Sequence, residues 1–199
     1  MSDKHFKTLP QEFQNEECEK YYSIIKSRYF AYILKRIFDY LVGLILLILL
    51  IIPIAVIAII VKCGSKGPVM FRQVRVGKYG KTFEIFKFRT MITEQPKGAT
   101  QITVGDDPRI TKAGKVLRKY RLDELPQIFN IIKGDMSFVG TRPEVPKYVE
   151  HYADYMMATL LLEPGITGVE ASSLRMKASC LAHPTIRKKH ILKIYFQKR

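Results

Sequence analysis

The chain has 199 residues, with 33 Lys+Arg against 18 Asp+Glu and a net charge of +15. Apolar residues make up 47% and aromatics 11%, which excludes wholesale disorder, and the length suits one domain plus an appendage. The charge points to a polyanionic partner: nucleic acid, anionic lipid or a phosphorylated substrate.

Residues 1–39 open polar and continue into a mixed helical stretch over 17–40, with Tyr22, Ile25, Tyr29, Tyr32, Ile33 and Ile37 at helical spacing. This aromatic, basic stretch suits a membrane-surface helix, and equally a helix packed on the globular part. Residues 40–61 then carry no charge. At a helical rise of roughly 1.5 Å per residue this run is about 33 Å long, enough for a hydrocarbon core of about 30 Å. It starts too deep in the chain for a cleaved signal peptide. Basic residues flank it almost equally, Lys20, Lys26, Arg28, Lys35 and Arg36 before it and Lys62, Lys66, Arg72, Arg75, Lys78 and Lys81 after it. The positive-inside rule works through asymmetry, so both flanks prefer the cytosol. Pro53, inside the run, removes a backbone donor and is expected to kink the helix. A helix that enters one leaflet and returns fits these signals, as does a span with a tolerated proline.

Beyond the run the period changes. Val69, Phe71, Val74 and Val76, then Phe83, Ile85 and Phe88, read as two strands around a Gly77–Gly80 turn. Residues 91–107 read as a loop. Thr111 is a plausible N-cap for a helix carrying Val116, Leu117 and Tyr120. Pro126 suits the first position of a second helix with an Ile128, Phe129, Ile132 stripe, and Gly134 suits its stop. A further helix is expected through 149–162. Cys18, Cys63 and Cys180 are scattered, without a disulfide framework or zinc spacing, which favours a reducing cytosolic compartment. His5, His151, His183 and His190 have no partner at metal-ligand spacing and carry no assigned role.

The segment 118–146 concentrates chemistry. Asp123 and Glu124 precede a helix N-terminus, where free N–H groups favour carboxylate and phosphate. Arg118, Lys119, Arg121 and Arg142 are close in sequence. Carboxylates among arginines can hold Mg²⁺ and a pyrophosphate together, the parts phosphoryl transfer needs. Taken alone, the same pattern also describes a solvated, salt-bridged surface. The basic, aromatic strands would also suit stacking on single-stranded nucleic acid.

The ordered motifs are KRIFD at 35–39, GPVMFRQVRVGKYGKTFEIFKFRTM at 67–91, DPRITKAGKVLRKYRLDELPQIFNIIKGDMSFVGTRPE at 107–144 and PGITG at 164–168. Together they resemble the bacterial sugar transferase family, the monotopic polyprenyl-phosphate phosphoglycosyl transferases. The resemblance implies an α+β fold, mainly helical. A small cytosolic catalytic domain with a short β-hairpin would be attached to a re-entrant, proline-broken membrane helix and membrane-surface helices. The corresponding division is 1–34 as an N-terminal extension, 35–62 as the membrane helix and 63–169 as the catalytic domain. The chain looks like the short form of the family.

The implied reaction transfers sugar-1-phosphate from a nucleotide-diphosphate sugar, most simply a UDP-sugar, to polyprenyl phosphate. It releases UMP at the cytosolic face of the bacterial inner membrane, the first membrane step of a polysaccharide or glycoconjugate pathway such as exopolysaccharide, capsule or lipopolysaccharide. Carried over, Asp123 is the nucleophile, Glu124 assists it, and both hold Mg²⁺. Arg118, Arg142, Lys87 and Arg89 bind substrate phosphates, and Pro53 breaks the membrane helix. No nucleic-acid partner is expected on this reading. The competing reading is a membrane-anchored basic protein that binds nucleic acid or anionic lipid without catalysis. Three features depart from the family. Ile52 stands where a serine commonly precedes the proline. Thr141 replaces the first proline of the P-R-P loop. After Val169 the motifs stop, and residues 170–199 carry eight basic side chains and one acid. Reading codons from the third base turns much of 183–199 into a peptide like a family C-terminus, so a frameshift near residue 170 is expected to have replaced the tail. That tail holds +7 of the charge and residues 1–169 hold +8.

Overall fold

The computed structural model describes residues 6–92 and 107–168; the basic tail and most of the 91–107 loop lie outside the described residues. The architecture is mainly helical with one short antiparallel hairpin. Helix α1 spans Glu16–Ser27 and α2 spans Tyr29–Gly64. Strands β1 (Met70–Val76) and β2 (Thr82–Phe88) follow, then α3 (Lys112–Lys119) and α4 (Gln127–Lys133). Strand β3 (Ser137–Val139), the short helices α5 (Pro146–Val149) and α6 (Asp154–Met157), and β4 (Gly165–Thr167) complete it.

Helix α2 is 36 residues long and is long and apolar enough to cross a membrane. Pro53 lies inside it, and the helix continues to Gly64 as one element. Leu49 is 65% and Ile52 73% exposed, a wholly apolar surface that water does not solvate well.

Both flanks of α2 dock on one small domain. On the N-terminal side, Asp39 is buried and accepts from Ser137 Oγ at 2.8 Å, Phe138 N at 3.3 Å and Lys35 Nζ at 3.1 Å. Lys35 also donates to Ser137 Oγ, so the buried carboxylate is fully paired, as a charge removed from water must be. Arg36 donates to the Met136 carbonyl at 3.0 Å. Tyr32 Oη and Lys78 Nζ both donate to Glu163 Oε1, at 2.6 and 3.1 Å, joining the start of α2 to the hairpin turn. On the C-terminal side, Ile57 and Val61 form a core with Phe88 and Leu117.

The hairpin pairs Phe71 with Lys87, Gln73 with Ile85 and Arg75 with Phe83, close to the expected strands. Thr111 caps α3, its hydroxyl accepting from Gly114 N at 2.9 Å. Gly134 ends α4 at φ +94, a conformation open to glycine.

Three expectations change. The helix over 17–40 divides at Arg28, and α1 is the packed alternative: Tyr21, Tyr22 and Ile25 are buried in a core with Val76, Met157 and Leu161. The buried face of α4 is Gln127, Ile128, Asn130 and Ile131, while Phe129 is 37% exposed, because Asn130 turns inward to bond a strand. The helix through 149–162 is interrupted after Val149 and resumes at Asp154. Its end leads into β4, which pairs parallel with β3. A Cβ on Gly165 would overlap the Gly140 backbone, so this contact needs glycine.

Candidate active site

The dyad sits in a 3₁₀ turn, Leu122–Glu124, between α3 and α4. Arg121 precedes it in the left-handed conformation, φ +58, which non-glycine residues adopt at a cost of about 1 kcal/mol and which clusters at functional sites. The turn buries Asp123 to 9% exposure and leaves its Oδ1 without a hydrogen-bond partner. Glu124 Oε1 instead accepts from Lys87 Nζ at 2.8 Å and lies 3.5 Å from Arg121 Nη1.

Lys87 is held in place through its strand. Asn130 of α4, fully buried, donates Nδ2 to the Glu84 carbonyl at 2.7 Å and accepts from Phe86 N at 3.0 Å. The amide thereby mimics a third strand and ties the helix after the dyad to the strand bearing Lys87. A Cβ on Gly114 would overlap the Thr90 carbonyl, so α3 and its Arg118 approach the end of β2 closely. Arg118 Nε donates to Thr90 Oγ1 at 2.9 Å.

These environments separate the two carboxyls. Burial pushes Asp123 upward, reinforced by the Glu124 charge and opposed by Lys87. Burial also acts upward on Glu124, but the Lys87 bond and the charges of Lys87, Arg121 and Arg142 outweigh it and hold Glu124 below the usual range. Such divergence within one pair is a feature of chemically active sites.

Asp123 and Glu124 line an open cleft of about 810 Å³. All the expected phosphate ligands, Arg118, Arg142, Lys87 and Arg89, line it with them. Pro53 lies apart, inside α2. Arg89 has a second duty: its Nη2 donates to the Ser65 carbonyl at 2.7 Å and to the Val61 carbonyl at 3.3 Å, capping the end of α2. Its Nε and Nη1 are buried without a partner.

The site also contains cations that the motif reading did not assign. Arg75, Arg109 and Arg121 line the same cleft. Arg75 Nη1 donates to the Pro143 carbonyl at 3.0 Å, bracing the loop that carries Arg142, and its Nε is buried and unpartnered. Burial lowers the Arg75 pKa, Glu144 opposes this and Arg142 adds to it. Strand parity carried the signal: Gln73, Arg75 and Lys87 share one hairpin face once the register is known.

Among the described residues no group of three or more His, Cys, Asp or Glu side chains forms a metal site. The dyad alone fits Mg²⁺, which is commonly bound by one or two carboxylates plus substrate phosphates. Asp123 Oδ1, buried and unpaired, is an oxygen donor of the required kind.

The family model of bacterial sugar transferases matches residues 30–199, a match that runs on through the tail where the motifs stop. The chain is 41% identical over 149 residues to a UDP-N-acetylgalactosamine-undecaprenyl-phosphate N-acetylgalactosaminephosphotransferase of Aeromonas hydrophila, covering 73% of this chain and 35% of that protein. It is 43% identical over 140 residues to the UDP-glucose:undecaprenyl-phosphate glucose-1-phosphate transferase of Escherichia coli, covering 68% and 30%. It is 37% identical over 153 residues to a putative undecaprenyl-phosphate N-acetylgalactosaminyl 1-phosphate transferase of Bacillus subtilis, covering 76% and 84%. The chain thus spans about a third of the first two proteins' length and most of the third's. Matched by the family model over most of its length, the chain belongs to the bacterial sugar transferase family.

Proposed function

We propose that this chain transfers sugar-1-phosphate from a UDP-sugar to a polyprenyl phosphate at the cytosolic face of the bacterial inner membrane. The observation that carries the reading is Asp123: a buried carboxylate with one unpartnered oxygen in a strongly cationic cleft. The relatives' names supply the substrate classes, with undecaprenyl phosphate common to all three and a UDP-sugar in two.

In the first step an Asp123 carboxylate oxygen attacks the sugar-proximal phosphorus. The bond from that phosphorus to the bridging oxygen breaks, and UMP departs with the oxygen. The aspartyl–phosphosugar bond formed is an acyl phosphate, open to a second nucleophile. A phosphate oxygen of the polyprenyl phosphate then attacks the same phosphorus, and the bond to Asp123 breaks. The carboxylate is restored and no net proton is taken up by it. Arg118 and Arg142 hold the phosphates through guanidinium forks suited to paired oxygens. Lys87 fixes Glu124 in its ionised form, available for Mg²⁺ or for proton handling beside the departing group. Asp123 and Glu124 would hold Mg²⁺, which would supply charge neutralisation on the diphosphate.

The test is Mg²⁺-dependent UMP release from UDP-glucose and UDP-N-acetylgalactosamine, with undecaprenyl phosphate present, and the intact mass of the protein. The wild-type chain is expected to release UMP and to gain one sugar-phosphate mass when the lipid is omitted. Asp123→Asn should show neither. Adduct or turnover persisting in that variant would remove Asp123 from the nucleophile's role.

A further inference from the structure

Four buried side-chain atoms among the described residues have no hydrogen-bond partner: Asp123 Oδ1, Arg75 Nε, Arg89 Nε and Arg89 Nη1. All belong to residues lining the one cleft. A buried donor left unpaired is costly, so these arginines are poised for an acceptor the protein does not itself provide.

The two arginines lie at opposite ends of the hairpin. Arg89 N pairs with the Val69 carbonyl at 2.9 Å, at the open end. Arg75 lies six residues beyond Val69 on the paired strand, about 20 Å along it at a strand's rise per residue. The surroundings differ as well. The Arg89 end is tied to the last carbonyls of α2, and its share of the cleft wall is apolar: Pro68, Met70, Phe71, Met91 and Ile92. Phe71 is 46% and Ile92 41% exposed. The Arg75 end opens into a small recess where Lys87, Glu124, Gln127 and Arg142 join Arg75. These charged and amide side chains outnumber the apolar ones there, Ile85, Pro143 and Ile166.

From this polarity we infer that the cleft holds its two substrates at opposite ends. The lipid acceptor's phosphate binds at Arg89 and Arg118, with its isoprenoid chain along Phe71, Met91 and Ile92. The nucleotide donor's phosphates bind at Arg75 and Arg142. This rests on the two-step reaction proposed above. The apolar strip starts where α2 ends, so an isoprenoid reaching it continues directly from the hydrophobic surface of that helix. A nucleotide gains nothing from that strip and needs the polar recess.

The two steps can be measured separately: adduct formation from UDP-glucose or UDP-N-acetylgalactosamine without lipid, then discharge of the adduct by undecaprenyl phosphate. Phe71→Ser should raise the KM for undecaprenyl phosphate in discharge about tenfold, the scale of losing one aromatic contact with an apolar chain. Phe71→Leu should recover most of that loss. Inorganic phosphate, used as a competitor of discharge, should keep its inhibition constant in Phe71→Ser, since it carries no chain. Arg75→Lys should instead raise the donor KM in adduct formation about tenfold, as the fork is lost. The ratio of the two effects is the readout. If both variants slow the two steps in equal proportion, or if inorganic phosphate weakens in parallel with the lipid, the division of the cleft is wrong. If the wild-type chain forms no adduct, the two-step reaction itself falls and takes this inference with it.

Discussion

Asp123 carries opposite demands for stability and for chemistry. A carboxyl whose pKa is raised by burial costs folding free energy while ionised, and that cost fades as the pH falls through its folded pKa. Asp123→Asn removes the charge and keeps the shape. It should abolish turnover while raising Tm by about 2–4 °C, the shift expected for roughly 1 kcal/mol in a chain of this size; differential scanning fluorimetry in detergent reads it. In the proposed reaction the attacking form is the carboxylate, so single-turnover adduct formation should decline on acidification from a pH above the ordinary aspartate range. Lys87 sharpens the point, because its charge lowers both members of the dyad. Lys87→Gln should therefore move the acid limb of the pH–rate profile upward. A profile that stays in place, or moves down, would break the link between Lys87 and the dyad.

Two side chains hold the secondary-structure elements in the arrangement the site needs. Asn130 joins α4 to β2 through two main-chain hydrogen bonds. Asn130→Ala strands the partly buried Phe86 N–H and Glu84 carbonyl and should cost about 2 kcal/mol, a Tm loss of roughly 4–8 °C. Asp39 joins α2 to β3 by accepting from the Ser137 hydroxyl and the Phe138 N–H. Asp39→Ala leaves Ser137 Oγ and Phe138 N without their acceptor and should cost about 3 kcal/mol; thermal unfolding of the detergent-solubilised chain measures both variants. These two residues also mark where reading the sequence stops. The Thr111 cap, the Gly134 stop and the hairpin were readable because each is set by neighbours a few positions away. The dyad was readable because carboxylates and arginines crowd one short segment. Asn130 sits on a helix face that periodicity assigned to Phe129, and only contact with β2 explains its burial. Arg75 reads as one more flanking charge until the strand register puts it on the same hairpin face as Lys87. The β3–β4 pairing depends on Gly140 meeting Gly165 across 25 positions, which no local pattern reports.

How the whole chain sits in a membrane follows from where α2 is docked. Its N-terminal flank is bonded to the domain as far as Gly43, whose Cα packs toward Ile131 and Ile132, and its C-terminal flank packs again from Ile54 onward. Among residues 44–53 none is buried. That stretch rises about 15 Å along a helix axis, half of a hydrocarbon core of about 30 Å. A span would have to place the two flanks on opposite sides of the bilayer, yet both are packed on the same domain. The placement proposed on this ground is a helix that wedges into one leaflet, with Pro53 at the far edge of its undocked stretch and the cleft at the lipid surface. Impermeant-maleimide labelling of single-cysteine variants tests it. Cys63 is exposed and Cys18 buried, and Ser27 is exposed just before α2. In sealed inside-out vesicles, both Cys63 and Ser27→Cys should label when every other cysteine is replaced by serine. In intact spheroplasts neither should, and Ile48→Cys should resist the reagent from both sides. Labelling of Cys63 and Ser27→Cys from opposite faces would establish a span, and the domain contacts of one flank would then have to open in the membrane.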